Sequence, residues 1–150
     1  ALSKLEKMGK LKGIVTQNID GLHQMAGSKK VYELHGSVLR NTCTHCQTKY
    51  SLEDMMKLRD NEGIPRCSKC GAIIKPDVVL YEEGLDEYTL YSAITSLVVY
   101  PAAGLINYFH GKHLVLINKD STNMDSKADL VIHDSIGKVL DDSLCEVYVK

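Results

Sequence analysis

No apolar run in the sequence approaches the ~18 residues a membrane-spanning helix needs, so no membrane span is read. Neither sign of charge dominates. The formal net charge is -1, which gives no broad basic field to attract nucleic acid or an anionic membrane. The first ten residues, ALSKLEKMGK, lack the apolar core of a signal peptide. There is no internal repeat and no low-complexity tract. What is present is ordinary for a soluble globular protein, with 44% hydrophobic and 25% charged residues. A length of 150 residues suits one domain, or one domain with a small insert, and can bury a core. Five cysteines without a secretion signal read as a metal site rather than a disulfide framework. The expected compartment is therefore the reducing cytosol, a cytoplasmic location.

Hydrophobic spacing divides the chain. Leu2, Leu5 and Met8 lie on one helical face, and Gly9 stands where a C-terminal cap glycine would. Leu11 to Thr16 predicts a buried parallel strand, and Val31 to Leu34 another short segment. Residues 51–60 predict a helix with Ser51 as N-cap and Asp54 three residues on. Residues 76–81 return to an extended pattern. Helical spacing resumes at Leu85, Tyr88 and Tyr91. Residues 98–104 read as loop and turn, and Ala102 to Tyr108 as the start of a helix. His113 to Asn118 predicts a second buried strand, Asp129 to Ile132 a third, and Ser135 to Leu144 a last helix. Short apolar strands alternating with helices indicate an α/β fold with a parallel sheet.

Residues 40–75 differ in character. They hold four of the cysteines and few aliphatics, so they form an insert that needs a metal to fold. Cys43-x-x-Cys46 and Cys67-x-x-Cys70 are separated by 20 residues. Two such knuckles present four thiolates in a tetrahedron, the closed arrangement of structural zinc. The alternative is a pair of redox dithiols, although a redox C-x-x-C usually occurs once, at a helix start. His45 lies inside the first knuckle, but four cysteines make it unnecessary as a ligand. Cys145 stands alone and reads as a small apolar residue.

Gln17-Asn18-Ile19-Asp20-Gly21-Leu22-His23 follows the first strand, at the end of a sheet where ligands bind in open α/β folds. An Asn and an Asp together can hold a carboxamide, one donating and the other accepting. They also favour a capped turn before a glycine, and the residues alone leave both readings open. His35-Gly36 has the same ambiguity between a structural histidine and a general base working near neutral pH.

Taken in order, TQNIDGLH (16–23), ELHG (33–36), the paired C-x-x-C, KPDVVLYEE (75–83), TSLVVYPAAGL (95–105) and LIN (116–118) resemble the sirtuin family, of bacterial type. The resemblance runs from about residue 1 to residue 140. It implies a Rossmann-like NAD-binding domain, here residues 1–39 and 76–150, with a zinc ribbon at 40–75. It implies an NAD-dependent protein-lysine deacetylase or deacylase that transfers the acyl group to ADP-ribose and releases nicotinamide. The partner would be an acylated-lysine protein or peptide. His35 matches the family's general base. Asn18 and Asp20 match the nicotinamide pocket with Ile19 beside them, and Gln17 a residue near the ribose. Thr95 and Ser96 match the adenosine side, Asn118 the adenine ribose, and Ser135 with Ile136 the adenine. The peptide would add as a strand between Val79, Leu80 and Tyr81 on one side and Val99, Tyr100 and Pro101 on the other. The structural zinc would be held by Cys43, Cys46, Cys67 and Cys70.

The sequence also departs from that family. Its glycine-rich turn and following G-I-P-D-F-R stretch, which grip the NAD phosphates through backbone N–H groups, are not among these residues. Tyr81-Glu82-Glu83 replaces the usual Phe-Gly-Glu. Ile94 runs directly into Thr95 where the family has the rest of a helix, a strand and a glycine pair, about a dozen residues. Losing a central strand would leave unpaired edges and an open core. The expectation is therefore that residues 94 and 95 are not truly bonded and lie farther apart than the ~3.8 Å of a trans peptide. The alternatives to catalysis are a zinc-ribbon interaction module and an inactive sirtuin fragment. Between Cys43 and Cys70, Lys49, Lys57, Arg59, Arg66 and Lys69 face Glu53, Asp54, Asp60 and Glu62, a near balance that argues against a nucleic-acid ribbon.

Overall fold

Helix α1 (Leu2–Lys7) ends as its glycine predicts. Gly9 takes φ +69°, its N–H donates to Glu6 O, and Lys10 N–H donates to Leu5 O. These paired bonds satisfy carbonyls that the helix end would leave bare. The computed structural model describes residues 1–80, 82–96 and 109–147, excepting the side chains of 90, 93–96, 146 and 147. The Glu6 carboxylate accepts from the backbone N–H groups of Lys29 and Lys30, both at 2.8 Å, and so ties α1 to the chain entering the second strand.

Strand β1 (Ile14–Thr16) is buried throughout. It pairs in parallel with β2 (Val31–Glu33), in the register Ile14 with Val31 to Thr16 with Glu33. Helix α2 (Leu22–Met25) lies in the crossover between them. Leu34, directly after β2, is only 2% exposed.

Strands β3 (Gly36–Cys43), β4 (Lys49–Ser51) and β5 (Ile74–Val78) form an antiparallel sheet in the order β4-β3-β5. The sheet begins before residue 40 and ends after residue 75, because β3 and β5 pair along the stalk that leads into the insert. Helix α3 (Leu52–Lys57) is capped as expected. Ser51 Oγ accepts from Asp54 N–H at 3.0 Å and donates to the Asp54 carboxylate at 2.7 Å. At the base of the stalk Gly36 takes φ +74°, and a Cβ there would lie 2.0 Å from the Asp77 carbonyl oxygen. Only glycine fits such an approach. Directly beyond, the register against β5 slips between Ser37 and Asn41, so Val38 to Arg40 bulge out of the β3–β5 ladder.

Helix α4 (Glu87–Ser96) opens where Asp86 accepts from Thr89 N–H at 2.6 Å. It runs without interruption through Ile94 and Thr95. The 94/95 junction thus lies within α4. Thr95 and Ser96 are the last two residues of α4. Tyr81, Val99, Tyr100, Pro101 and the helix expected from Ala102 lie outside the described residues.

Strand β6 (Val115–Ile117) pairs in parallel with β7 (Leu130–Ile132), and α5 (Ile136–Val147) follows. These strands were expected to be buried. Instead Val115 is 40% and Leu130 51% exposed, and only the neighbouring Leu114 is well covered, at 5%. Among the described residues this sheet has two strands, and each keeps an edge that no described strand pairs with. Cys145 on α5 is likewise exposed rather than packed. Among the described residues the parallel strands form two separate pairs, and no helix is long and apolar enough to cross a membrane.

Candidate functional site

The polar loop after β1 is held by side-chain oxygens that accept from its backbone N–H groups. Asn18 N–H donates to Thr16 Oγ1 and Leu22 N–H donates to Asp20 Oδ1, both at 3.0 Å. Ile19 O accepts from Val38 N–H of the β3 bulge at 3.1 Å. Gly21 packs so closely on this bulge that a Cβ there would lie 2.5 Å from Leu39 Cδ1. Asp20 therefore makes the capped turn and still has one carboxylate oxygen without a bond to Leu22. Both readings of the loop are compatible with this arrangement.

His35 stands between β2 and β3. Its Nδ1 lies 3.1 Å from Gln17 O, and its carbonyl accepts from Val79 N–H at 3.0 Å. A carbonyl can only accept, so Nδ1 carries the proton and Nε2 keeps a free lone pair. A cavity of about 640 Å³ is lined by Gln17, Asn18, Ile19, Asp20 and His35 on one side and Val79 and Leu80 on the other. Val78, Glu83 and Leu85 complete its wall.

A second cleft of about 630 Å³ runs between the two parallel pairs. It shares Gln17 and Asn18 with the first and adds Val15, Leu116 and Ile136. Asn118 and Ser135 follow β6 and precede α5 but do not line this cleft. Asn118 Nδ2 donates to Asp120 O at 2.8 Å, and Ser135 N–H donates to Asp134 Oδ1 at 2.6 Å. The side chains of Thr95 and Ser96 lie outside the described ones.

The four paired cysteines meet at the far end of the antiparallel sheet, with all four sulfurs within 4.8 Å of one another. Cys43 and Cys70 are 3.5 Å apart, as are Cys46 and Cys67. Sulfurs bound tetrahedrally at ~2.3 Å stand about 3.8 Å apart, so the cluster fits a zinc ion with little adjustment. Cys43 and Cys67 also pack with Met55 and Ile74 in a small core. The proton affinities diverge. A hydrogen bond from Tyr50 pulls the Cys67 thiol down to about 5. At Cys70 the Ala72 N–H lowers it, but burial and three neighbouring sulfurs push it up to about 12. Four sulfurs this close resist becoming thiolates together unless a cation offsets their charge. Exposed His45 is not part of the cluster.

Residues 1–101 match the model of the Sir2 family. This chain belongs to the Sir2 family. It is 66% identical over 154 residues to an NAD-dependent protein deacetylase of Clostridium perfringens, covering 93% of this chain and 62% of that protein. With the corresponding protein of Clostridium acetobutylicum it shares 58% identity, over 94% of this chain and 62% of the other. The chain thus spans less than two thirds of these curated relatives. The 154-residue aligned stretch exceeds the covered 93% of 150 residues, about 140, by some fourteen positions. A solved structure described as Sir2, p53 peptide and NAD+ superposes with TM-score 0.88 at 36% identity, covering 99% of this chain and 68% of that one. A structure of Sir2Tm bound to a propionylated peptide gives 0.87 at 36% identity, over 99% and 69%.

Several residues of this Sir2-family chain were not singled out from sequence. Glu83 and Leu85 line the first cavity, although sequence placed Glu83 only in a family motif and Leu85 only in a helical pattern. Thr48 and Tyr50 contact the sulfurs. Their position just after the first knuckle was the available signal, but it does not say which way the side chains point.

Proposed function

We propose that the chain belongs to an NAD-dependent protein-lysine deacylase, with His35 as general base and the Gln17–Asp20 loop as the nicotinamide end of the cofactor site. One observation carries this reading: residues far apart in sequence line a single cavity beside an extended segment. Bound NAD would supply the ribose centre that takes the acyl group, with nicotinamide as leaving group.

The chain's own groups fit those tasks. The Gln17 carbonyl fixes the proton on His35 Nδ1, so Nε2 is free to take a proton from a ribose hydroxyl. The Asn18 amide and the remaining Asp20 oxygen offer a donor and acceptors to a carboxamide, with Ile19 beside them. Val79 and Leu80 offer main chain to an acyl-lysine peptide arriving as an added strand, and Tyr81, Val99 and Tyr100 would extend that site. Ile136 lines the cleft that adjoins Asn18 and suits an adenine. Asn118, Ser135, Thr95 and Ser96 are assigned to the adenosine side on resemblance alone. Cys43, Cys46, Cys67 and Cys70 would hold a structural zinc, which leaves no open position for chemistry. We divide the chain into a Rossmann-like NAD-binding part, residues 1–39 and 76–150, and a ribbon at 40–75, and place it in the cytosol.

A second reading, a Sir2-family piece without catalysis that serves as an interaction module, is favoured by the fourteen unmatched positions. We place that shortfall at Ile94–Thr95. The deciding experiment adds NAD and an acetylated-lysine peptide to the chain and measures free nicotinamide. Peptide-dependent release supports the deacylase. Failure to release nicotinamide, together with failure to bind NAD, supports the second reading.

A further inference from the structure

Two hydroxyl side chains point at the cysteine cluster, one toward each knuckle. Tyr50 lies in the middle of β4, opposite the fully buried Asn41 of β3. Its Oη is 3.1 Å from Cys67 Sγ and 3.2 Å from Ser68 Oγ. Thr48 closes the turn between β3 and β4, where its carbonyl accepts from Cys43 N–H at 2.9 Å. Its Oγ1 is 3.2 Å from Cys46 Sγ.

We infer that Tyr50 and Thr48 are positioning residues of the metal centre that donate hydrogen bonds to two of its thiolates and slow the loss of zinc. The inference rests on the assignment of the four cysteines as zinc ligands. A metal-bound sulfur carries no proton, so each contact holds only when the hydroxyl donates. Tyr50 has one hydrogen. With that hydrogen on Cys67, the remaining contact requires Ser68 to donate to Tyr50, and a directed chain Ser68 to Tyr50 to Cys67 results.

Two consequences follow. Four thiolates around Zn²⁺ carry a net charge of -2, and each O–H donor withdraws part of it from sulfur. The second consequence is geometric. Tyr50 sits on the hairpin that carries the first knuckle, yet its partner belongs to the second. It therefore fastens the two halves of the site independently of the metal.

The test is made on the zinc-loaded 150-residue chain. Zinc transfer to a chromophoric chelator is timed, and the sulfur-to-metal charge-transfer band is recorded after cobalt substitution. Outer partners of metal ligands typically contribute about 10–100-fold to metal affinity. Tyr50→Phe should therefore release zinc about tenfold faster or more and shift the cobalt band, with the fold unchanged by circular dichroism. Thr48→Val should give a smaller acceleration, and Thr48→Ser should return the rate to that of the parent. Ser68→Ala, which leaves Tyr50 in place, should fall between Tyr50→Phe and the parent. Parent-like rates in both Tyr50→Phe and Thr48→Val would overturn the inference. If Tyr50→Phe does not fold, parent-like rates in Ser68→Ala and Thr48→Val overturn it equally. Failure of the parent chain to bind zinc would instead overturn the ligand assignment itself.

Discussion

The ribbon and the parallel-stranded body reach order by different routes. The ribbon's core is four side chains, two of them paired cysteines, surrounded by tight turns and an antiparallel sheet. Its interactions are local and chemically specific. The body relies on burial between segments far apart in sequence, such as β1 against β2 and Leu34 beneath them. A stapled unit is insensitive to a thin core but wholly dependent on its staple. An unstapled one has no single point of failure and little reserve.

The sharpest way to break this comparison is to remove the staple. Cys43→Ala, or chelation of the metal, should cost the ribbon on the order of 10 kcal/mol of binding-coupled folding free energy. Hydrogen exchange should show protection lost around Cys43 and Ile74 but kept at Ile14 to Thr16. Simultaneous loss in both places would mean the two parts are one cooperative unit. Next in size is His35→Ala, assayed in the full-length protein under the proposed deacylase reading. Removing a general base should lower kcat/KM by about 10²–10⁴-fold while the melting temperature stays near the parent's. An unchanged kcat/KM would remove His35 from the mechanism. Leu34→Ala should then destabilise the body by about 2–5 kcal/mol, read from denaturant midpoints, without changing zinc content.

The smallest effect concerns Glu6. The N–H groups of Lys29 and Lys30 hold its carboxyl below the ordinary value of 4.5. A carboxyl with a lowered folded pKa contributes stability above the unfolded value and loses it as pH falls through the folded one. Glu6→Gln should therefore lower the denaturant midpoint at neutral pH, and the difference from the parent should vanish in acid. In the ribbon, Asp60 is lowered chiefly by Arg66 and has the same sign. There, protonation of the thiolates should release the metal and dominate the acid response.

Local chemistry was the legible part of the sequence. Gly9, Ser51 with Asp54, and the four cysteines each carry a residue type whose backbone or ligand preference is nearly sufficient by itself. The polar loop and His35 were legible as candidates, but that they share a cavity depends on the β1–β2 pairing and on the stalk. The β3 bulge was not legible. No element was read across Val38, Leu39 and Arg40, and Val38 bonds to Ile19 instead of to β5. The exposure of β6 and β7 was missed for a related reason, since an apolar run reports that a strand forms, not how many neighbours it has.

The nesting of Gly36 on the Asp77 carbonyl bears on modularity. His35 precedes this contact and the ribbon lies beyond it, so the two share one rigid phase. The ribbon therefore resembles an exchangeable cassette only outboard of Asn41 and Lys75. Splicing a foreign ribbon closer in, between Gly36 and Asp77, would rotate the imidazole along with the graft. Position 36 thus marks the inner limit for recombination of this domain, by engineers or by evolution.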